Sequence, residues 1–175
     1  MDLDNDGWKD IFVANGIFKD LLDRDFLNIY SDPSLMRSMI KTEESAILRL
    51  IEMIPSVSIP NYAFHNNGDL TFTNLSGIWG LNTPSFSNGA TYGDLDTDGD
   101  LDLVVNNVNM PPFICRNETN NKPDANYLTV ILKGKGLNKA AIGANVTLYY
   151  DGKLNYLELI PARGFQSSVD TRLQL

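Results

Sequence analysis

Cysteine and histidine occur once each in the 175 residues, as Cys115 and His65. One cysteine cannot close an intrachain disulfide, and it rules out a cysteine-based zinc site. In the apolar setting "PPFIC" it reads as a small core residue. One histidine leaves no second imidazole to activate Ser167 or Ser168, so a Ser-His-Asp triad is not expected. His65 stands beside Asn67-Gly68 and reads as a strand-end surface residue rather than a base. No apolar run approaches 18 residues, which excludes a transmembrane helix and with it direct membrane insertion. No Lys/Arg-rich run occurs either, so the phosphate-contacting footprint of a nucleic-acid binder is missing. No signal peptide precedes Asp2, and further sequence is expected upstream of Met1.

Negative charge, by contrast, is plentiful and local. The net charge is −8 with 22 acidic residues, nine of which lie in two stretches: "DLDNDGWKDIFV" at 2–13 and "DLDTDGDLDLVV" at 94–105. Outside them 13 acids face 14 Lys plus Arg, so the surface is not acidic in general. Apolar residues make up 43% and charged residues 21%, which places the chain with globular rather than disordered proteins.

Both stretches read D-x-D-x-D-G-x-x-D. Side chains at positions 1, 3 and 5 converge only if the backbone curls around one point, and the glycine at position 6 (Gly7, Gly99) permits that turn. Carboxylates so crowded imply a cation among them. Oxygen donors without His or Cys select a hard ion, and calcium accepts about six to eight oxygens in adaptable geometry. Two Ca2+ sites are therefore expected. Their side-chain ligands would be Asp2, Asp4, Asp6 and Asp10 in the first loop and Asp94, Asp96, Asp98 and Asp102 in the second. The backbone carbonyls of Trp8 and Asp100 fill the seventh-position role. EF-hand and dockerin loops are excluded because both need an acid at position 12, where Val13 and Val105 stand. A paired-carboxylate glycosidase is disfavoured, since every loop acid is needed for the cation. No catalytic residue is assigned.

Behind each acidic phrase runs an apolar strand signal, Ile11-Phe12-Val13 and Leu103-Val104-Val105. From 17 to 54 the pattern turns helical. Phe18, Leu22, Phe26 and Tyr30 recur every four residues, Asp32-Pro33 offers a cap and a first turn, and Thr42 with Glu43 and Glu44 starts another helix. The stripe Ala46, Ile47, Leu50, Ile51 and Ile54 is expected to pack on the neighbouring sheet, its mixed-charge flanks arguing against a membrane surface. Strands return at "NYAFHNNGDLTFTNL", with a hairpin signal at Asn67-Gly68. The two phrases are offset by 92 positions; without the 38 residues of 17–54 the period is 54, close to the roughly 40–50 of a propeller blade. Residues 17–54 thus read as an insertion. A polar linker is expected at 117–126, followed by an all-β region from 127 to 175 with a turn at Asp151-Gly152. Arg163 and Phe165, beside Gly164, read as shaping a turn. Asn74, Asn117 and Asn145 begin N-glycosylation sequons by pattern.

"DLDNDGWKDIFVANG" and "YGDLDTDGDLDLVVNN" resemble the calcium loops of FG-GAP/VCBS repeats, the blades of integrin-α-like β-propellers. "YAFHNNGDLTFTNLSGIWGL" is similar to the hairpin that precedes such a loop. The stretch from "YLTVILKGKGLNKAAIGANVTLYY" to "RGFQSSVD" resembles the ASPIC/UnbV domain, and the combination is similar to the cartilage acidic protein family and its bacterial secreted relatives. The resemblance implies a mainly β chain. Residues 1–116 would be a partial propeller carrying Ca2+ loops and the helical insertion, and 127–175 a small, truncated β-rich domain. It implies a non-catalytic, exported or cell-surface module for adhesion or surface assembly, with an unknown protein or glycan ligand. An accessory, calcium-stabilised part of a polysaccharide-degrading enzyme system is the alternative. The first loop lacks the strand that precedes it in the family, and the chain stops at "TRLQL", so a longer parent chain is expected.

Overall fold

The computed structural model describes residues 1–39, 43–119, 127–164 and 166–175. The chain is mainly β. Among the described residues its strands form five sheets of two or three strands each.

The first sheet has the order β1-β3-β4, with β1 (Ile11–Val13) antiparallel to β3 (Tyr62–Asn66) and β3 antiparallel to β4 (Phe72–Asn74). Another has the order β6-β7-β8, with β6 (Ser87–Gly93), β7 (Asp102–Asn107) and β8 (Phe113–Cys115). The acidic repeat is therefore also a structural one. Ile11 pairs with Phe64, and Leu103, 92 positions after Ile11, pairs with Cys115. Each acidic loop feeds the strand behind it, β1 or β7, and that strand pairs with β3 or β8 at equivalent positions.

The two connections between the paired strands differ. From β7 to β8 the chain needs only residues 108–112, whereas the β1–β3 connection holds α1 (Arg24–Ser31), α2 (Pro33–Met39) and α3 (Glu43–Met53). Helix α1 is capped by Asp23, whose carboxylate accepts from Phe26 N at 2.9 Å. Asp32 caps α2 as its sequence suggests, accepting from Ser34 N (2.8 Å) and Leu35 N (3.2 Å), with Pro33 in the first turn. Thr42 lies outside the described residues, as do the side chains of Glu43, Glu44, Ala46 and Ile47. The helical pattern expected from residue 17 begins only at Arg24. Phe18 and Leu22 precede α1; Phe18 meets the Phe86 ring edge-on at 5.1 Å, while Leu22 is 82% exposed. Of the stripe, Ile54 is buried but Ile51 is exposed, and α1 buries no residue. Among the described residues of that stripe, Leu50 is half-buried and Ile54 is the most enclosed. No helix among the described residues is long and apolar enough to cross a membrane.

The remaining strands are short. β2 (Ile59–Pro60) pairs with β5 (Pro84–Ser85), β9 (Thr129–Val130) with β12 (Leu173–Gln174), and β10 (Asn145–Tyr150) with β11 (Lys153–Glu158). The last pair closes on Asp151-Gly152, both at positive φ (45° and 72°), as a two-residue hairpin of the primed kind needs. The Asn67-Gly68 hairpin also forms, but Asn66 pairs with Phe72, so its loop runs over 67–71 and Asn67 N donates to Thr71 O at 3.1 Å. Leu128 and Leu132 fall outside β9, which is shorter than the alternation there suggests.

Where the first two sheets meet, the interior is partly polar. Asn61 Oδ1 accepts from Asn15 N (2.9 Å) and Asn61 Nδ2 donates to Ser87 Oγ (2.9 Å). Ser87 Oγ in turn donates to Asn107 Oδ1 (2.9 Å). Asn15 and Asn107 are themselves 92 positions apart, so one network ties together equivalent points of the two repeats. Asn61, Ser85 and Ser87 are at most 2% exposed, and each finds a partner, as buried polar groups require. Ala63, Leu103 and Val105 supply the apolar part.

Candidate metal centre

The two acidic loops share one backbone. Positions 4 and 6 have positive φ in both: Asn5 at 57° and Gly7 at 95°, Thr97 at 65° and Gly99 at 93°. Position 6 takes the value only glycine adopts without strain, which explains Gly7 and Gly99. The curl turns the first carboxylate inward onto backbone N–H groups. Asp2 Oδ2 accepts from Gly7 N at 3.1 Å; Asp94 accepts from Asp98 N and Gly99 N, both at 3.2 Å. Position 5 makes the next turn, Asp6 accepting from Trp8 N (2.8 Å) and Asp98 from Asp100 N (3.0 Å).

Asp10 and Asp102 act alike and are buried, 5% and 2% exposed. Each spreads its two oxygens over two backbone N–H groups far apart in sequence. Asp10 Oδ2 accepts from Leu3 N (2.8 Å) and Oδ1 from Asn66 N (2.9 Å). Asp102 Oδ2 accepts from Leu95 N (3.0 Å) and Oδ1 from Asn117 N (2.8 Å). These residues staple the start of each loop to the end of the strand paired behind it. A carboxylate oxygen accepts more than one contact, so this duty leaves room for a ligand's role.

Of the expected ligands, the structure gathers Asp2, Asp4 and Asp6 in the first loop, with one carboxylate oxygen from each within 4.8 Å of the others. In the second it gathers Asp94, Asp96 and Asp102. Asp98 lies beside Arg116, whose guanidinium stands 2.8 Å from Asp96 and 3.6 Å from Asp98. The Asp100 side chain, at 0% exposure, accepts from Asn5 Nδ2 at 2.6 Å and so joins the two loops. Trp8 is half-exposed, its indole against Gly68.

The first loop has more unmet electrostatic demand. Asp2 Oδ1 and Asp4 Oδ1 are buried without a hydrogen-bond partner. Burial, with the neighbouring carboxylates Asp6 and Asp10, pushes both acids above the ordinary carboxylate range, Lys9 at 3.7 Å from Asp2 opposing this in part. A hard cation among oxygens would answer each of these features, so the residues fit calcium.

His65 was not assigned to this region by the sequence, and the surface position expected for it is not observed. Its side chain is 21% exposed, with Nδ1 3.1 Å from Asp4 Oδ2 and 3.5 Å from Asp10 Oδ1. Neither contact has hydrogen-bond geometry, and Nδ1 is buried without a partner. The signal that could have found it is the repeat. His65 follows the partner of Ile11, and Arg116 follows the partner of Leu103, so both stand at one place in their sheets.

The C-terminal region reaches the second loop. Arg172 donates to the Asp94 carbonyl (2.7 Å) and Gln174 Nε2 to Asp94 Oδ2 (2.9 Å). Thr91 Oγ1 donates to the Ser168 carbonyl. Tyr127 OH donates to the Thr97 carbonyl (3.2 Å) while its ring covers Gly99. Burial, which alone would raise the Asp170 carboxyl, is outweighed by the hydrogen bonds and charge of Arg172, which hold it below the usual range. A cleft of about 760 Å³ opens beside the loops, lined by Asp10, Tyr92, Leu159, Arg163, Asp170 and Arg172 among others. The Arg163 turn closes by Arg163 N donating to Ser167 O (3.1 Å), with Gly164 at φ 73°; Phe165 is outside the described residues. Of the expected linker, 120–126 is outside them too. The Asn117 amide, first in its sequon, is engaged, donating to Leu3 O at 2.7 Å.

Residues 134–175, about a quarter of the chain, match the ASPIC and UnbV family. No curated protein and no solved structure matches the chain.

Proposed function

We propose that this chain is a non-catalytic, calcium-stabilised binding module. In it, two FG-GAP/VCBS-type propeller blades, built on the β1-β3-β4 and β6-β7-β8 sheets, precede the ASPIC/UnbV region. The observation that carries this reading is the duplicated loop: two copies with the same pair of positive φ values and the same ninth-position staple, each bringing carboxylates to one point. Ca2+ bound there would neutralise groups that otherwise repel one another. Carboxylate loops of the extracellular kind bind calcium at about 10⁻⁴–10⁻³ M and fill where calcium is millimolar, which supports an exported or cell-surface protein. Its ligand would be a protein or glycan met at that surface.

Thermal unfolding in excess chelator and in millimolar calcium tests the proposal. At roughly 1 mM calcium and a dissociation constant of about 10⁻⁴ M each loop adds about 1.4 kcal/mol to stability, so two loops raise the melting temperature by several degrees. Identical melts under the two conditions would refute it.

A further inference from the structure

We propose that the first acidic loop carries a mixed nitrogen–oxygen cation site, formed by His65, Asp4 and Asp10, that takes a divalent transition metal of the zinc class. The second loop has no such set. This rests on the reading of the loops as cation sites and departs from it in the ion.

One donor atom from each of the three residues lies within 4.8 Å of the others. The separations from His65 Nδ1, 3.1 Å to Asp4 and 3.5 Å to Asp10, bracket the roughly 3.3 Å between neighbouring donors around a tetrahedral ion with bonds of 2.0–2.1 Å. Nδ1 is buried, faces both carboxylates and makes no hydrogen bond to either. The ring nitrogen and the two oxygens stand at ion-pair distance without a hydrogen bond, and a metal ion is a partner all three donors can share. Asp4 contributes a second buried oxygen without a hydrogen-bond partner.

The surroundings hold these donors still. Asp10 keeps its place through Leu3 N and Asn66 N, the second being the residue directly after His65. Hydrogen bonds of this sort orient ligating carboxylates at metal sites. The imidazole meets the Trp79 ring edge-on at 6.2 Å, and its strand is pinned by pairing with Thr73.

Comparison with the other repeat sets the chemistry apart. Arg116 occupies the place of His65 and already carries a positive charge, which it applies to Asp96 and Asp98. Guanidinium cannot ligate a metal, having no lone pair to offer, whereas neutral imidazole does so readily. Oxygen donors alone favour calcium. Adding imidazole shifts preference toward zinc and its neighbours.

His65 is the only histidine in the chain, so any imidazole signature from a bound metal in tag-free protein belongs to it. The test is a zinc titration against a chromophoric chelator on chelator-stripped protein, with calcium binding measured on the same samples and zinc-edge X-ray absorption on the loaded protein. The expected result is one zinc per chain with imidazole in its shell, displacing one of two calcium ions. His65→Gln should weaken zinc by at least the roughly 10–100-fold lost when a mere supporting partner of a ligand is removed, while calcium affinity changes much less. Two calcium ions bound with no zinc, zinc bound without imidazole, or equal zinc affinity in His65→Gln would each overturn the proposal and leave the calcium reading standing. Zinc bound with imidazole in a protein that ignores calcium would do the reverse. The absorption spectrum needs no variant, so it decides even where His65→Gln does not fold.

Discussion

Replacing Asp102 by alanine should destabilise the protein with no cation present. Asp102 is 2% exposed, and its carboxylate accepts from Leu95 N at 3.0 Å and Asn117 N at 2.8 Å. Hydrogen bonds to charged groups contribute about 1.5–3 kcal/mol each, so the two together are worth about 3–6 kcal/mol. Against this, truncation relieves repulsion from Asp94 and Asp96, which places the expected loss near the lower end, about 3 kcal/mol. Asp96→Ala is the control. Its side chain is 36% exposed and its partner Arg116 62% exposed, and pairs of that kind contribute about 0–1 kcal/mol. Urea unfolding in excess chelator separates the two effects from any metal affinity. With a slope of about 1–3 kcal/mol per molar, a 3 kcal/mol loss moves the midpoint by about 1–3 M. A midpoint for Asp102→Ala within 0.3 M or so of the wild type, or an Asp96→Ala shift as large, would refute the staple argument.

Gly99→Ala should be worse than Gly7→Ala: both sites have φ above 90°, but a Cβ at residue 99 would lie 2.2 Å from the Tyr127 ring, whereas at residue 7 the nearest atom is Tyr150 Oη at 3.9 Å. Equal urea midpoints for the two variants would show that Tyr127 does not seat against the loop. Asn61→Ala should cost about 2–3 kcal/mol, since it strips the partner from the half-buried Asn15 N and leaves the buried Ser87 with one fewer, and chemical denaturation measures it. For Asp170, a folded pKa below the usual value means stability that is present above about pH 4 and lost as pH falls through the folded value. Asp170→Asn should therefore be weaker than the wild type near neutrality and converge with it in strong acid. Parallel stability curves over that range would overturn the role given to Arg172.

The duplicated loop was legible because its requirements are local. Position 6 must be glycine to hold φ near 90°, and the first carboxylate must reach N–H groups four or five residues on, so the spacing alone writes the curl. The Asp151-Gly152 turn and the Asp32 cap were readable for the same reason. What escaped the reading depends on residues remote in sequence. Asp10 and Asp102 also accept from Asn66 N and Asn117 N, and the Asp100 side chain accepts from Asn5, partners that only the fold supplies. His65 passed for a surface residue because only the register of β3 against β1 turns it toward Asp4. The helices failed differently. Fourfold spacing from Phe18 suggested one long stripe, but the chain turns through 20–23 before α1 starts, and Leu22 and Tyr30 stay in water while Phe18 and Phe26 are half-buried.

The partners of Leu3 carry a consequence for how the protein is made. Its carbonyl accepts from the Asn117 side chain at 2.7 Å and from Thr119 Oγ1 at 3.2 Å, residues 114 and 116 positions later. The acidic loop that leaves the ribosome first is thus among the last to be completed. At about 5–20 residues per second, the interval between synthesis of Leu3 and of Asn117 is roughly 6–23 s. During that time nothing of the second repeat can hold the first in place, and the four aspartates of the first loop wait together on the nascent chain. Vectorial synthesis therefore gives this loop no head start; its closure belongs to the final stage, when residue 119 has emerged and both ends of the repeat pair can be drawn together.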